Sequence, residues 1–159
     1  MNKKELESLL NRELLTHGFK KKSTSWYRQD EGALQVINLQ KSNFGLRFYL
    51  NLGCVPNGMT VEGMPTPKEY ECPIKIRLGG AFPDKKLEIE EAFNLENSKF
   101  DDRERSAIIS NITSNLIIPF LENMKDASSL IRAINSGLLD NALIMLSAKS
   151  FLGLEQSGH

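Results

Sequence analysis

The chain is predicted to be an α+β protein: an N-terminal helix, a mostly antiparallel sheet of four to five strands, and a helical C-terminal half packed on one sheet face. Three observations predict this. Leu46, Phe48, Leu50, Leu52 and Cys54 alternate with Arg47, Tyr49 and Asn51, the period-two pattern of a strand with one face buried. Residues 33–40 and 72–78 read as further strands, the second with Ile74, Ile76 and Leu78 on one side and Lys75 and Arg77 on the other. After Gly79-Gly80 and Pro83 the alternation gives way to spacings of three and four, as expected of helices laid on a sheet.

The elements follow in order. Asn2 with Glu5 forms a capping box, Leu6, Leu9, Leu10 and Leu14 make an apolar stripe, and Gly18 supplies a left-handed stop, which predicts a helix over 3–17. Residues 19–22 and 25–28 are short extended pieces, and Gln29-Asp30-Glu31-Gly32 is a turn into the 33–40 strand. Residues 56–67 hold three of the six prolines with Gly58 and Gly63, so they form a long surface loop. Its Met59, Val61 and Met64 either offer a partner-binding edge or fold back onto the sheet, and folding back is the stronger expectation. Residues 87–93 fit either a short helix or a fifth strand. Asp101 with Glu104 caps a helix carrying Ile108, Ile109, Ile112, Leu116 and Phe120, which Pro119 kinks or ends. Asp126 caps another, with Leu130, Ile131 and Ile134 inward and Gly137 as its stop, and Leu139, Ala142, Leu143 and Leu146 suggest a last helix before Gly153. One domain over 1–153 is expected, with a disordered tail over 154–159.

With 159 residues the chain is long enough to bury roughly 70% of its unfolded surface, so no metal or disulfide is needed for a core. Twenty basic and twenty acidic side chains cancel, which removes the long-range field of a general nucleic-acid or anionic-membrane binder. Neither a signal core nor a membrane span is read from the sequence, and a reducing cytoplasm is the expected location. Cys54 and Cys72 read as small buried thiols.

Several segments together resemble a bacterial family known only as domain of unknown function 4304. They are Gly18-Phe19-Lys20-Lys21-Lys22, Trp26-Tyr27-Arg28, Val36 to Ser42, Phe48-Tyr49-Leu50-Asn51-Leu52-Gly53 and, more weakly, Cys72-Pro73-Ile74-Lys75-Ile76-Arg77. They run in order over the first half of the chain. The resemblance implies a small α+β domain with no assigned activity, cofactor or catalytic residue, so it transfers no site.

The candidate site is therefore read from the residues. If Phe48, Leu50 and Leu52 face the helices, the opposite surface gathers Arg47, Tyr49 and Asn51 with Asn38 and Gln40 beside them and Lys75 and Arg77 from a third strand. Amides, a phenol and guanidinium groups grip carboxylates, phosphates or an acidic protein surface, and Trp26 or Tyr27 adds an aromatic on the same side. A solvated outer face is the plainer reading. Lys20-Lys21-Lys22 near Trp26 and Tyr27 is explained by a lysine-protected edge strand without any nucleic acid. Catalysis lacks a base: His17 sits at a helix end and His159 at the terminus. Glu69 and Glu71 beside Cys72 are loop carboxylates, and the two histidines and two cysteines have no metal-ligand spacing. The expectation is a non-catalytic protein-binding domain, immunity-like or regulatory, without cofactor or metal. The alternative is an anionic-ligand sensor or enzyme with a cleft between sheet and helices, held by Arg47 and Arg77.

Overall fold

The structure is a computed structural model that describes residues 1–154. Six antiparallel strands follow chain order across one sheet: β1 (Lys20–Lys22), β2 (Ser25–Gln29), β3 (Ala33–Lys41), β4 (Phe48–Pro56), β5 (Ile74–Arg77) and β6 (Leu143–Ile144). Helix α1 (Lys3–Leu15) precedes the sheet. Between β5 and β6 come α2 (Leu78–Ala81), α3 (Lys86–Ala92), α4 (Asp102–Ile112), α5 (Ile118–Glu122) and α6 (Ala127–Asn135), and α7 (Leu146–Phe151) closes the fold. The α+β reading is borne out, with one strand more than expected.

Local chemistry accounts for the helix starts. Asn2, Asp101 and Asp126 each accept a hydrogen bond from the backbone N–H three residues on, at 2.9, 2.8 and 2.8 Å, satisfying a donor that the helix leaves orphaned. The bond from the Ser129 N–H holds the Asp126 carboxyl below the usual carboxylate range. Gly18 and Gly137 take φ of 85° and 86° just past α1 and α6, where a Cβ is disfavoured. Pro119 does not end its helix. The run continues from α4 through a π turn, Thr113–Ile117, into α5, and the wider turn makes room for the proline ring one turn downstream.

The inner sheet face and α1, α4, α5 and α6 share one core. It contains Leu6, Leu10 and Leu14 of α1, Trp26, Ile37, Leu50, Leu52 and Ile74 of the sheet, and Ile109, Phe120, Leu121 and Leu130 of the helices. Each leucine so buried contributes roughly 1.5–3 kcal/mol, so packing and not propensity holds α1.

The outer face is divided. Over its first half the loop after β4 folds back, and Met59 and Val61 pack with Tyr27 against Leu34, Val36, Val55 and Cys72, as the apolar loop residues led one to expect. Met64 stays 40% exposed. The loop crosses β4 so closely that a Cβ on Gly53 would come within 2.8 Å of the Cys72 sulfur. Cys54 and Cys72 are free and buried on opposite sides of β4. Burial pushes both thiols up, Cys72 to about 12 with help from the Glu69 carboxylate. Both should stay protonated and unreactive toward an aromatic disulfide reagent at about pH 8, and two equivalents should titrate once guanidinium unfolds the chain. A fast native reaction would contradict this burial.

Two further expectations about element bounds are corrected. Leu46 lies outside β4 and is 40% exposed, because the strand begins at Phe48 and the preceding backbone bonds to Leu95 and Glu96 instead. Residues 86–92 are helix, which resolves the helix-or-strand question. The last predicted helix is split: Leu143 and Ile144 pair with Lys75 and Ile74 as an edge strand, and only 146–151 is helical. Leu154, placed in the expected tail, packs against the core, and 155–159, with His159, lie outside the described residues. No helix among the described residues is long and apolar enough to cross a membrane.

Candidate functional site

The uncovered half of the outer face is a polar ladder built by register. Ser25 pairs with Asn38, Asn38 with Asn51, Asn51 with Arg77, and Gln40 with Tyr49, so these side chains stand in adjacent rows on one side. Asn38 donates to the Ser25 hydroxyl at 3.0 Å, and the Asn51 amide donates to Gln40 Oε1 at 2.9 Å and Asn38 Oδ1 at 3.3 Å. Arg77 completes the row. Its Nη2 donates to Gln40 Oε1 at 3.0 Å and its Nε to Asn51 Oδ1 at 3.3 Å. The guanidinium carbon lies over the Tyr49 ring, 4.1 Å from its centroid, a cation–π contact of the kind arginine favours.

The ladder fixes Arg77 without neutralising it. Among the described residues no carboxylate comes within 4.0 Å of Arg47, Arg77 or Lys86. Asn51 is only 6% exposed, covered by its polar neighbours, so its role is to hold Arg77 while Arg77 and Gln40 face solvent.

Strand β5 ends at Arg77 opposite Asn51, leaving Phe48, Tyr49 and Leu50 without a β5 partner. Helix α3 stands beside that gap. A cleft of about 190 Å³ results, lined by Tyr49, Arg77, Gly79, Lys86 and Glu90. A second of about 190 Å³ runs past the other side of Tyr49 between Arg47, Leu87, Glu90 and Asn94. Gly79 keeps the first cleft open, since a Cβ there would press on Lys86 Cγ at 3.2 Å. Three cations, Arg47, Arg77 and Lys86, and two carboxylates, Glu90 and Glu91, thus line the clefts on either side of Tyr49, and Glu91 is already paired with Lys99 at 2.8 Å, an arrangement suited to gripping anionic groups. On the loop side, burial raises the Glu69 carboxyl, with Lys75 and Arg77 pulling it back down.

Of the residues expected at this site, Asn38, Gln40, Tyr49, Asn51 and Arg77 come together, with Arg47 at the mouth of the second cleft. Lys75 stands one row away, and its ammonium donates to the Tyr70 carbonyl at 2.9 Å, so it fastens the loop. Trp26 is a correction: it pairs with Ile37, points to the helix side and is fully buried. Its neighbour Tyr27 takes the outer face, where its hydroxyl donates to the Pro67 carbonyl at 2.9 Å. Lys86 and Glu90 were missed by sequence reasoning. They lie in a charged helical stretch with no local signal, and only the docking of α3 beside β4 brings them to Tyr49. Lys20, Lys21 and Lys22 form the edge strand β1, exposed throughout.

Among the described residues no three His, Cys, Asp or Glu side chains converge to hold a metal ion. The family model described as Domain of unknown function (DUF4304) matches residues 10–123, well over half the chain, so it spans α1 from its middle through α5 and leaves out α6, β6 and α7. No curated protein and no solved structure matches the chain.

Proposed function

We propose a binding role for this chain, which belongs to the Domain of unknown function (DUF4304) family: it takes an acidic segment of another protein across Arg77, Tyr49 and Gln40. It acts by occluding that partner, as an immunity-like or regulatory factor, and not by catalysis. The observation that carries the reading is Arg77, laid on Tyr49, held by two amide side chains and with no carboxylate within 4.0 Å among the described residues. An arginine ordered in advance loses less rotamer freedom on binding, and aromatic plus arginine is the chemistry of interface hot spots.

Affinity capture from an extract of the native cells tests it. Wild type should recover a specific acidic protein, and Arg77→Glu with Tyr49→Ala should weaken that complex about thirtyfold or more, the scale of a hot-spot loss. Binding should also weaken as salt shortens the screening length. If the folded double variant recovers the same protein equally well, the sheet face is not the interface.

The clefts favour a second reading, in which Arg77 and Lys86, with Arg47 across Tyr49, hold a small anionic ligand. Saturating ligand should then raise the melting midpoint, Lys86→Glu should abolish that rise, and protein capture should survive the same substitution.

A further inference from the structure

The two edges of the sheet differ. Strand β1 carries Lys20, Lys21 and Lys22, all exposed, the charged edge that keeps other strands off. Strand β6 carries no charge. Residues 141–148 are uncharged, bracketed by Asp140 and Lys149, and Leu143, Met145 and Leu146 are 57, 47 and 61% exposed.

Register shows what β6 leaves open. Leu143 pairs with Lys75 and Ile144 with Ile74, and the Met145 N–H donates to the Pro73 carbonyl at 2.9 Å. Residues of an antiparallel ladder alternate between bonding across the pair and pointing away from it. Leu143 therefore bonds to β5, and the N–H and C=O of Ile144 point outward, without a backbone partner among the described residues.

One outward residue gives another strand little to hold, so a partner must also match the flanks of β6. The flanks match their own reverse. When two copies pair antiparallel about a two-fold axis at Ile144, each Ile144 N–H donates to the carbonyl of the other. Leu143 of one copy then meets Met145 of the other, and Ala142 meets Leu146. Ala142 lies in a hollow of about 370 Å³ with Ile134 and Leu139, room for the larger side chain. The same antiparallel course carries Asp140 of one copy to the Lys149 end of the other. Among the described residues neither has an ion-pair partner within 4.0 Å, and across the axis acid meets base twice.

We propose that this chain forms a two-fold dimer, β6 against β6, which joins two six-stranded sheets into one. The pairing uses none of Arg77, Tyr49 and Gln40, so the dimer and the protein-binding face stand or fall separately.

Sedimentation equilibrium of the full chain from about 1 to 500 µM tests it. The mean mass should climb toward twice that of the monomer with a dissociation constant of about 100 µM or below, and exchange of the Ile144 amide should slow as the dimer fills. Asp140→Lys and Lys149→Asp should each weaken self-association about tenfold, because each homodimer then sets like charges together at both ends. An equimolar mixture of the two variants should recover the wild-type affinity, since opposite charges face each other again between unlike chains. A charge pair within one chain cannot give that rescue. A melting midpoint within about 3 °C of wild type confirms that each variant is folded. The proposal is overturned if wild type stays monomeric to about 500 µM, if its mass grows past the dimer, if exchange of the Ile144 amide ignores concentration, or if the mixture associates no better than its parts. Should either charge variant not fold, Leu146→Glu decides, and self-association equal to wild type there overturns the pairing.

Discussion

Trp26→Ala will cost about 3–5 kcal/mol of stability, the range for truncating a large aromatic in a packed core, and lower the melting midpoint by about 10 °C or more. The side chain is fully buried in β2 among the inner-face residues. Its indole N–H donates to Asn11 Oδ1 at 3.1 Å, which ties the sheet to α1. Alanine leaves a cavity between them and strands the Asn11 amide. Trp26→Phe keeps most of the volume and loses the bond, so it should cost about 1–2 kcal/mol. Urea unfolding with an unchanged slope would measure both. The same residue was a candidate for the binding surface, and the outcome separates the roles: a loss under about 1 kcal/mol for Trp26→Ala would return Trp26 to the surface.

Gln35→Leu will cost about 2–4 kcal/mol although leucine suits a buried strand position, because the Leu121 carbonyl loses its donor and Arg28, whose ion-pair partners Asp30 and Glu122 stand off at 3.8 Å, loses its buried acceptor. Gln35 is fully buried on the helix side. Its Oε1 accepts from Arg28 Nη2 and Nε at 2.7 and 3.2 Å, and its Nε2 donates to the Leu121 carbonyl at 2.7 Å. Arg28 goes on to the His17 carbonyl at 3.0 Å and stacks 4.6 Å from the Phe19 ring centroid. One glutamine therefore connects β2, β3, the end of α1 and α5. In a double-mutant cycle with Arg28→Leu, the two losses should fall short of adding by more than about 1 kcal/mol, since each single change already breaks the shared bonds. Strict additivity would show that the network is not coupled.

The polar ladder was legible because alternation is local: with Phe48, Leu50 and Leu52 buried, Tyr49 and Asn51 must face the other way. Trp26 and Tyr27 show the limit of that logic. Adjacent strand residues point to opposite faces, yet which one goes inward depends on the pairing of Trp26 with Ile37, a register that nothing between residues 25 and 29 specifies. Gln35 was missed for a related reason, since a glutamine in an inward register reads as a defect until Arg28 and the Leu121 carbonyl are beside it. The three-and-four spacing of Leu139, Ala142, Leu143 and Leu146 resembled a helix, but the open edge of β5 offered backbone partners, and Leu143 and Ile144 took them.

Asn2, Asp101 and Asp126 at helix starts, Gly18 and Gly137 beyond helix ends, and the two-sided pattern of β4 were all readable along the chain, because caps, left-handed stops and alternation depend on residues within one turn of one another. The place of Trp26, the buried Arg28–Gln35 link, the cation-lined clefts around Tyr49 and the pairing of β6 with β5 came only with the assembled fold. Each joins groups far apart in sequence, and their meeting depends on strand register and helix docking, which many distant contacts set together.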